Sequence, residues 1–243
     1  NPNATAGDSF GASSSGSHVV ELSNGNFAIG AGASDLVGVE DTIQNVGRVY
    51  LFSADGTLIS TLSGSSLNDN IGNSVFNLNN GNAVVQSFQW NNGTGAVTFI
   101  DGTTGLNGVV SASNSLVGSS AFDGVGRSGL LVLNNGNYVV SSTAWRNGSA
   151  TSAGAVTWVN GSNGQIAGVV SASNSLVGTT VNDRVGITVT ALSNGNYVVL
   201  SAGWDRVGVA ADAGAVTWGS GTSGVIGAIG ADNSLIGSRA SDF

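Results

Sequence analysis

Short apolar-rich runs alternate with turns of glycine and asparagine along the whole chain. In the last quarter GITVTAL (186–192), YVVLSA (197–202), AGAVTW (213–218) and VIGAIG (225–230) follow one another. Runs of this length, rich in β-branched and aromatic residues and bounded by Gly and Asn, are strand patterns. Asn194-Gly195 lies between the first two and marks a hairpin, because both residues tolerate positive φ. Gly221–Gly224 turns the third run into the fourth. The pattern predicts a four-stranded antiparallel meander with VIGAIG as its last strand. No helical period appears, and 39 glycines among 243 residues weigh against long helices.

The pattern repeats. GVVSASNSLVG occupies Gly108–Gly118 and recurs unchanged at Gly168–Gly178, and a looser copy, GAIGADNSLIG, fills Gly227–Gly237. Three further landmarks recur in fixed order. Asp-x-apolar-Gly begins at Asp8, Asp69, Asp123 and Asp183. Leu-x-Asn-Gly-Asn covers 22–26, 78–82, 133–137 and 192–196. Gly-x-Val begins at Gly47, Gly95, Gly154 and Gly214. The landmarks divide the chain, taken as one repeat domain over 1–243, into four units at 8–68, 69–122, 123–182 and 183–243. A single four-stranded meander cannot bury both faces. Repetition around an axis solves this and gives an all-β fold, a β-propeller of four blades. A β-solenoid is the alternative, but its coils need no Asn-Gly hairpin in each repeat. The third-strand position reads Leu51, Phe99, Trp158 and Trp218, a large side chain suited to wedging between neighbouring blades.

Composition narrows the setting. Charged residues make up 8% of the chain, against about 25% in ordinary soluble domains. All six basic residues are arginine and the net charge is −8, so no clustered cations are available to hold nucleic acid. Anionic membranes are disfavoured for the same reason, and no apolar run reaches the length of a membrane span. Cysteine is absent, which removes disulfides and thiolate metal sites. With no methionine and no leader pattern, the sequence reads as a section of something longer.

GDSFG at Gly7, AIGAG at Ala28 and GRVYLF at Gly47 resemble the FG-GAP repeat of integrin-α-type β-propellers. The first repeat shows this best. The later three look like a degenerate form found in long bacterial surface and secreted proteins of the adhesin kind. The resemblance implies an extracellular or cell-surface module of adhesion or assembly. Many FG-GAP blades carry a calcium loop of alternating Asp and Asn oxygens, whereas here the matching turns are SNGN or NNGN. They are too short and too neutral for a cation that takes six to eight oxygens, so no metal or other cofactor is expected.

The candidate site residues have bland readings beside the sharper ones. Asp8, Asp69, Asp123 and Asp183 suit turns in which a carboxylate accepts backbone hydrogen bonds. Trp90, Trp145 and Trp204 end the second strand of their repeats, where they could form a rim that stacks on sugars or contacts a partner. His18 stands without a catalytic neighbour. Asp35, Glu40 and Asp41 form one acidic loop unique to the first repeat. No nucleophile elbow and no phosphate loop with its lysine is present. The reading is therefore a non-enzymatic structural or adhesive module with no catalytic residues, with a lectin-like propeller as the alternative. A fifth landmark starts at Asp242. End blades that meet neighbouring copies would then build a larger ring or a filament.

Overall fold

The computed structural model describes residues 19–37, 42–164 and 167–242. The first repeat supplies β1 (Val19–Glu21), β2 (Phe27–Ala31), a small hairpin of β3 (Leu36–Val37) and β4 (Thr42–Ile43), then β5 (Arg48–Phe52) and β6 (Leu58–Ser63). The second supplies β7 (Ser74–Asn77), β8 (Ala83–Ser87), a helical turn at Trp90–Gly93, β9 (Ala96–Ile100), β10 (Gly108–Val109) and β11 (Ser115–Val117). The third supplies β12 (Gly129–Val132), β13 (Tyr138–Ser142), β14 (Ala155–Val159), β15 (Gly168–Val169) and β16 (Leu176–Val177). The fourth supplies β17 (Thr188–Ala191), β18 (Tyr197–Ser201), β19 (Ala215–Gly219), β20 (Gly227–Ala228) and β21 (Ser234–Ile236). The fold is all-β and antiparallel-rich. Among the described residues no helix is long and apolar enough to cross a membrane.

Four main sheets result, with strand orders β1-β2-β5-β6-β10, β15-β11-β9-β8-β7, β12-β13-β14-β16-β20 and β17-β18-β19-β21. Each contains a four-stranded antiparallel meander. The fourth strand is not the one expected from sequence. VIGAIG does not close its own meander. Its Gly227–Ala228 runs parallel to β16 of the preceding repeat, and β21 closes the fourth sheet against β19. Gly108–Val109 likewise runs parallel to β6. The eleven-residue motif thus holds two strands that serve two different sheets. An asparagine turn separates them: Asn114 Oδ1 accepts the Ser111 N–H, and its Nδ2 donates to the Val109 carbonyl. Asn174 and Asn233 make the same pair of bonds. The next serine reaches a buried threonine hydroxyl on the third strand, as in Thr98–Ser115 and Thr157–Ser175, both at 2.7 Å.

The hairpins also differ in detail from the expectation. Gly25, Gly81, Gly136 and Gly195 have φ between 83° and 90°, but the asparagines before them do not enter the left-handed region. The Leu22 N–H donates to the Asn26 carbonyl and the Gly25 N–H to the Leu22 carbonyl. This is a three-residue loop, a type I turn closed by a left-handed glycine. Only the glycine needs positive φ, and the asparagine side chain is left to do something else.

Two compact units emerge, Asn1–Val117 with Gly161–Gly168, and Gly118–Asn160 with Val169–Phe243. The division cuts through the third repeat because its segment 161–168 belongs with the second sheet. The first unit has a core of residues such as Leu22, Val49, Leu51, Leu62 and Ile71. The second is built around Leu133, Val156, Leu176, Val185 and Tyr197.

Leu62, Leu116 and Leu176 hold one position of the last meander strand and are fully buried, whereas Leu235 at the same position is 79% exposed. Leu116→Ala should therefore destabilise the fold by about 3 kcal/mol. Leu235→Ala should change stability by less than about 0.5 kcal/mol. Urea unfolding of the two variants checks the contrast; equal losses would contradict it.

Candidate functional site

The residues that recur meet where one repeat joins the next. Asp69, Asp123 and Asp183 are buried. Asp69 Oδ2 accepts the N–H groups of Ser65 and Ser66, both at 2.9 Å, and Oδ1 accepts the Asn91 N–H. Asp123 takes Ser119, Ser120 and Arg146 in the same way. Asp183 takes Thr179, Thr180 and Asp205. Each carboxylate thus ties the turn leaving one repeat to the end of the second strand of its own repeat. An ionised acceptor with several backbone donors is a strong local link. Asp242 repeats the first half with Ser238 and Arg239, and these N–H groups hold its carboxyl below the usual carboxylate range. Asp8 and His18 lie outside the described residues.

The backbone donors bound by these carboxylates follow directly after Trp90, Trp145 and Trp204. The chain tucks in at this point. Trp145 is 4% exposed and Trp204 5%, and Trp90 is half-buried against the first core. Two of the three rings, Trp145 and Trp204, are thus closed in. In the acidic loop, Asp35 accepts the Asn45 N–H, while Glu40 and Asp41 lie outside the described residues. Among the described residues no three His, Cys, Asp or Glu side chains gather at a cation site.

The asparagine hairpins form a second link, whose partner the sequence reading did not foresee. Asn24 and Asn26 both donate from Nδ2 to the Gly102 carbonyl, at 3.0 and 2.7 Å. Asn80 and Asn82 do so to Gly161, and Asn135 and Asn137 to Gly221. In each case the hairpin of one repeat clamps a single carbonyl at the start of the next repeat's glycine-rich segment. That segment, here called the arm, then crosses the third strand. Gly164 lies flat on Phe99 and Gly224 on Trp158, so close that a Cβ at either would sit 2.1 or 2.7 Å from the aromatic side chain. Trp158 Nε1 also donates to the clamped Gly221 carbonyl. The Gly-x-x-Gly spacing was the available signal: glycine recurs wherever the arm passes over a large side chain.

At two joints the arm ends as a parallel strand along the preceding sheet, β10 on β6 and β20 on β16. Val110 donates to the Ser63 carbonyl. Gly227 and Ile229 donate to the carbonyls of Ser175 and Val177. Val110, Val170 and Ile229 are buried behind it. Burial also raises the hydroxyl pKa of Tyr138 and Tyr197, the first residues of β13 and β18, well above the ordinary tyrosine value. The joint is therefore built from a carboxylate link, an amide clamp, a glycine–aromatic contact and a two-residue parallel strand.

The chain belongs to the family described as Repeat of unknown function (DUF5650), which matches it three times, at residues 77–127, 132–187 and 191–243. No curated protein matches the chain. The family thus counts three repeats where the sequence reading counts four. The unmatched first repeat differs in kind. β5 turns straight into β6 through Ser53–Thr57, with no arm and no GVVSASNSLVG motif between them.

Removing the carboxylate in Asp123→Ala leaves three backbone donors without their acceptor and should cost about 3 kcal/mol in urea unfolding. A loss below about 1 kcal/mol would mean that water replaces the link. Asn135→Ala should cost about 1 kcal/mol more than Asn194→Ala, because both lose the turn bond but only Asn135 clamps a carbonyl. Equal losses would remove the clamp from the account.

Proposed function

We propose that this chain is a non-enzymatic scaffold module whose repeats tile as blades of a β-propeller on the FG-GAP plan, working in adhesion or assembly outside a bacterial cell. One observation carries the reading: the polar residues that recur between repeats are used to hold one repeat to the next. Asp69, Asp123 and Asp183 hold backbone N–H groups, and the paired asparagines hold glycine carbonyls. A binding or catalytic repeat would keep some recurring polar group open to a ligand. The antiparallel four-stranded sheets, of which the first three carry a strand of the next repeat, suit blades strung in series. A surface solvated by amides and hydroxyls, with 8% charge, suits a protein whose units pack against their own kind. Self-association of end repeats belongs to the same reading.

The lectin-like alternative rests on Trp90, Trp145 and Trp204. Two of these are closed in, so the scaffold reading stands first. A glycan array separates the two. The scaffold reading expects no saturable sugar binding, and expects Trp145→Ala to act on stability alone, lowering it by about 3 kcal/mol. Saturable binding that Trp145→Ala abolishes while unfolding stays unchanged would replace it with the lectin reading.

A further inference from the structure

The fourth repeat presents the hairpin amides, the third-strand aromatic and the last-strand edge of the joint, and among the described residues none of them holds an arm; Asn196 Oδ1 accepts the Gly221 N–H of its own repeat. Asn194 and Asn196 form the same hairpin, with Asn194 Oδ1 accepting the Asn196 N–H, but neither Nδ2 meets a carbonyl. Trp218 holds the place of Leu51, Phe99 and Trp158, and is 55% exposed where Leu51 is fully buried. Strand β21 is an edge where β6, β11 and β16 each carry a further strand. Its Leu235, with Val216 and Leu200, lines one apolar groove, although Val216 takes the place of the buried Val49, Val97 and Val156.

These elements have one common complement on the page. In three joints the occupant is an arm of pattern Gly-x-x-Gly followed by Gly-apolar-apolar, as in 102–110, 161–170 and 221–229. We propose that the outer edge of the fourth sheet is an acceptor site for the arm of a further repeat of this family, added as a parallel strand along β21. The arm's first glycine carbonyl would sit between the Asn194 and Asn196 amides, its second glycine on the Trp218 ring, and its Gly-apolar pair beside Leu235–Ile236. Strand addition gives affinity through main-chain bonds, and the glycine against the ring gives selectivity. A second copy of this chain is the poorer occupant. Its arms at β10 and β20 are engaged in its own joints, and among the described residues its first repeat has none to lend. The proposal rests on the scaffold reading but fails separately from it.

The probe is the synthetic peptide GTTGLNGVVSA, copied from 102–112, titrated into the labelled chain and followed by NMR. Shifts confined to the Asn194 and Asn196 side-chain amides, the Trp218 indole and Ser234–Gly237 are expected. A peptide with alanine in place of its second glycine should bind at least tenfold more weakly, and so should the native peptide on Leu235→Asp. Leu235 is exposed, so that variant keeps its fold, which the unchanged remainder of the spectrum verifies. No shifts at millimolar peptide, or shifts that survive Leu235→Asp, would overturn the proposal. So would the same residues shifting on concentration of the chain alone, which would make a second copy the occupant. Peptide binding together with saturable sugar binding would sink the scaffold reading and leave the acceptor site standing.

Discussion

A strand at the edge of a sheet leaves a row of backbone N–H and C=O groups without partners, and short sheets have edges close to everything. This chain meets that constraint by lending. The arms of the second and fourth repeats leave after the third strand, cover the last strand of the preceding sheet with a two-residue parallel strand, and turn back to close their own meander. The other recurring features follow from this path. The arm must start at a fixed place, and the paired asparagine amides hold the Gly102, Gly161 and Gly221 carbonyls there. It must pass over a bulky third strand, so glycine lies on Phe99 and Trp158. It must return sharply, and Asn114, Asn174 and Asn233 close that return.

Seen this way, the near-identity of GVVSASNSLVG between repeats is a record of geometry. Its glycine and valines form the lent strand. Its asparagine forms the turn, its third serine satisfies a buried threonine, and its leucine fills the core of its own sheet. Burying each such leucine, Leu116 or Leu176, contributes about 2 kcal/mol. The aspartates and asparagines spend their hydrogen-bonding capacity inside the joints.

Much of this was legible in the residues. The apolar runs marked the first three strands of the fourth repeat, and Asn-Gly marked the hairpins. The fourth strand was misplaced because VIGAIG has the composition of a strand and is one; periodicity reports that a segment is extended but not which sheet it joins. The turn type was misread because Asn-Gly fits both a two-residue and a three-residue loop, and the choice depends on the register of strands on either side. Trp145 and Trp204 looked like rim residues from their place after a strand. They are buried, and the backbone after each is held by Asp123 or Asp183, more than twenty residues upstream. The clamp was invisible for a similar reason: Asn80 and Gly161 are 81 residues apart and neither looks unusual alone.

The central claim is that the lent strands are structural members of the sheets they join. Native-state hydrogen exchange resolved to single amides tests it most directly. The account predicts that the Val110 and Ile229 amides, which donate to Ser63 and Val177, exchange as slowly as amides in the central strands β13 and β14. Amides of Ser234–Ile236 that point away from β19 should exchange rapidly. If Val110 and Ile229 exchange at the rate of open loops while β13 and β14 stay protected, the arms are decoration and the account is wrong.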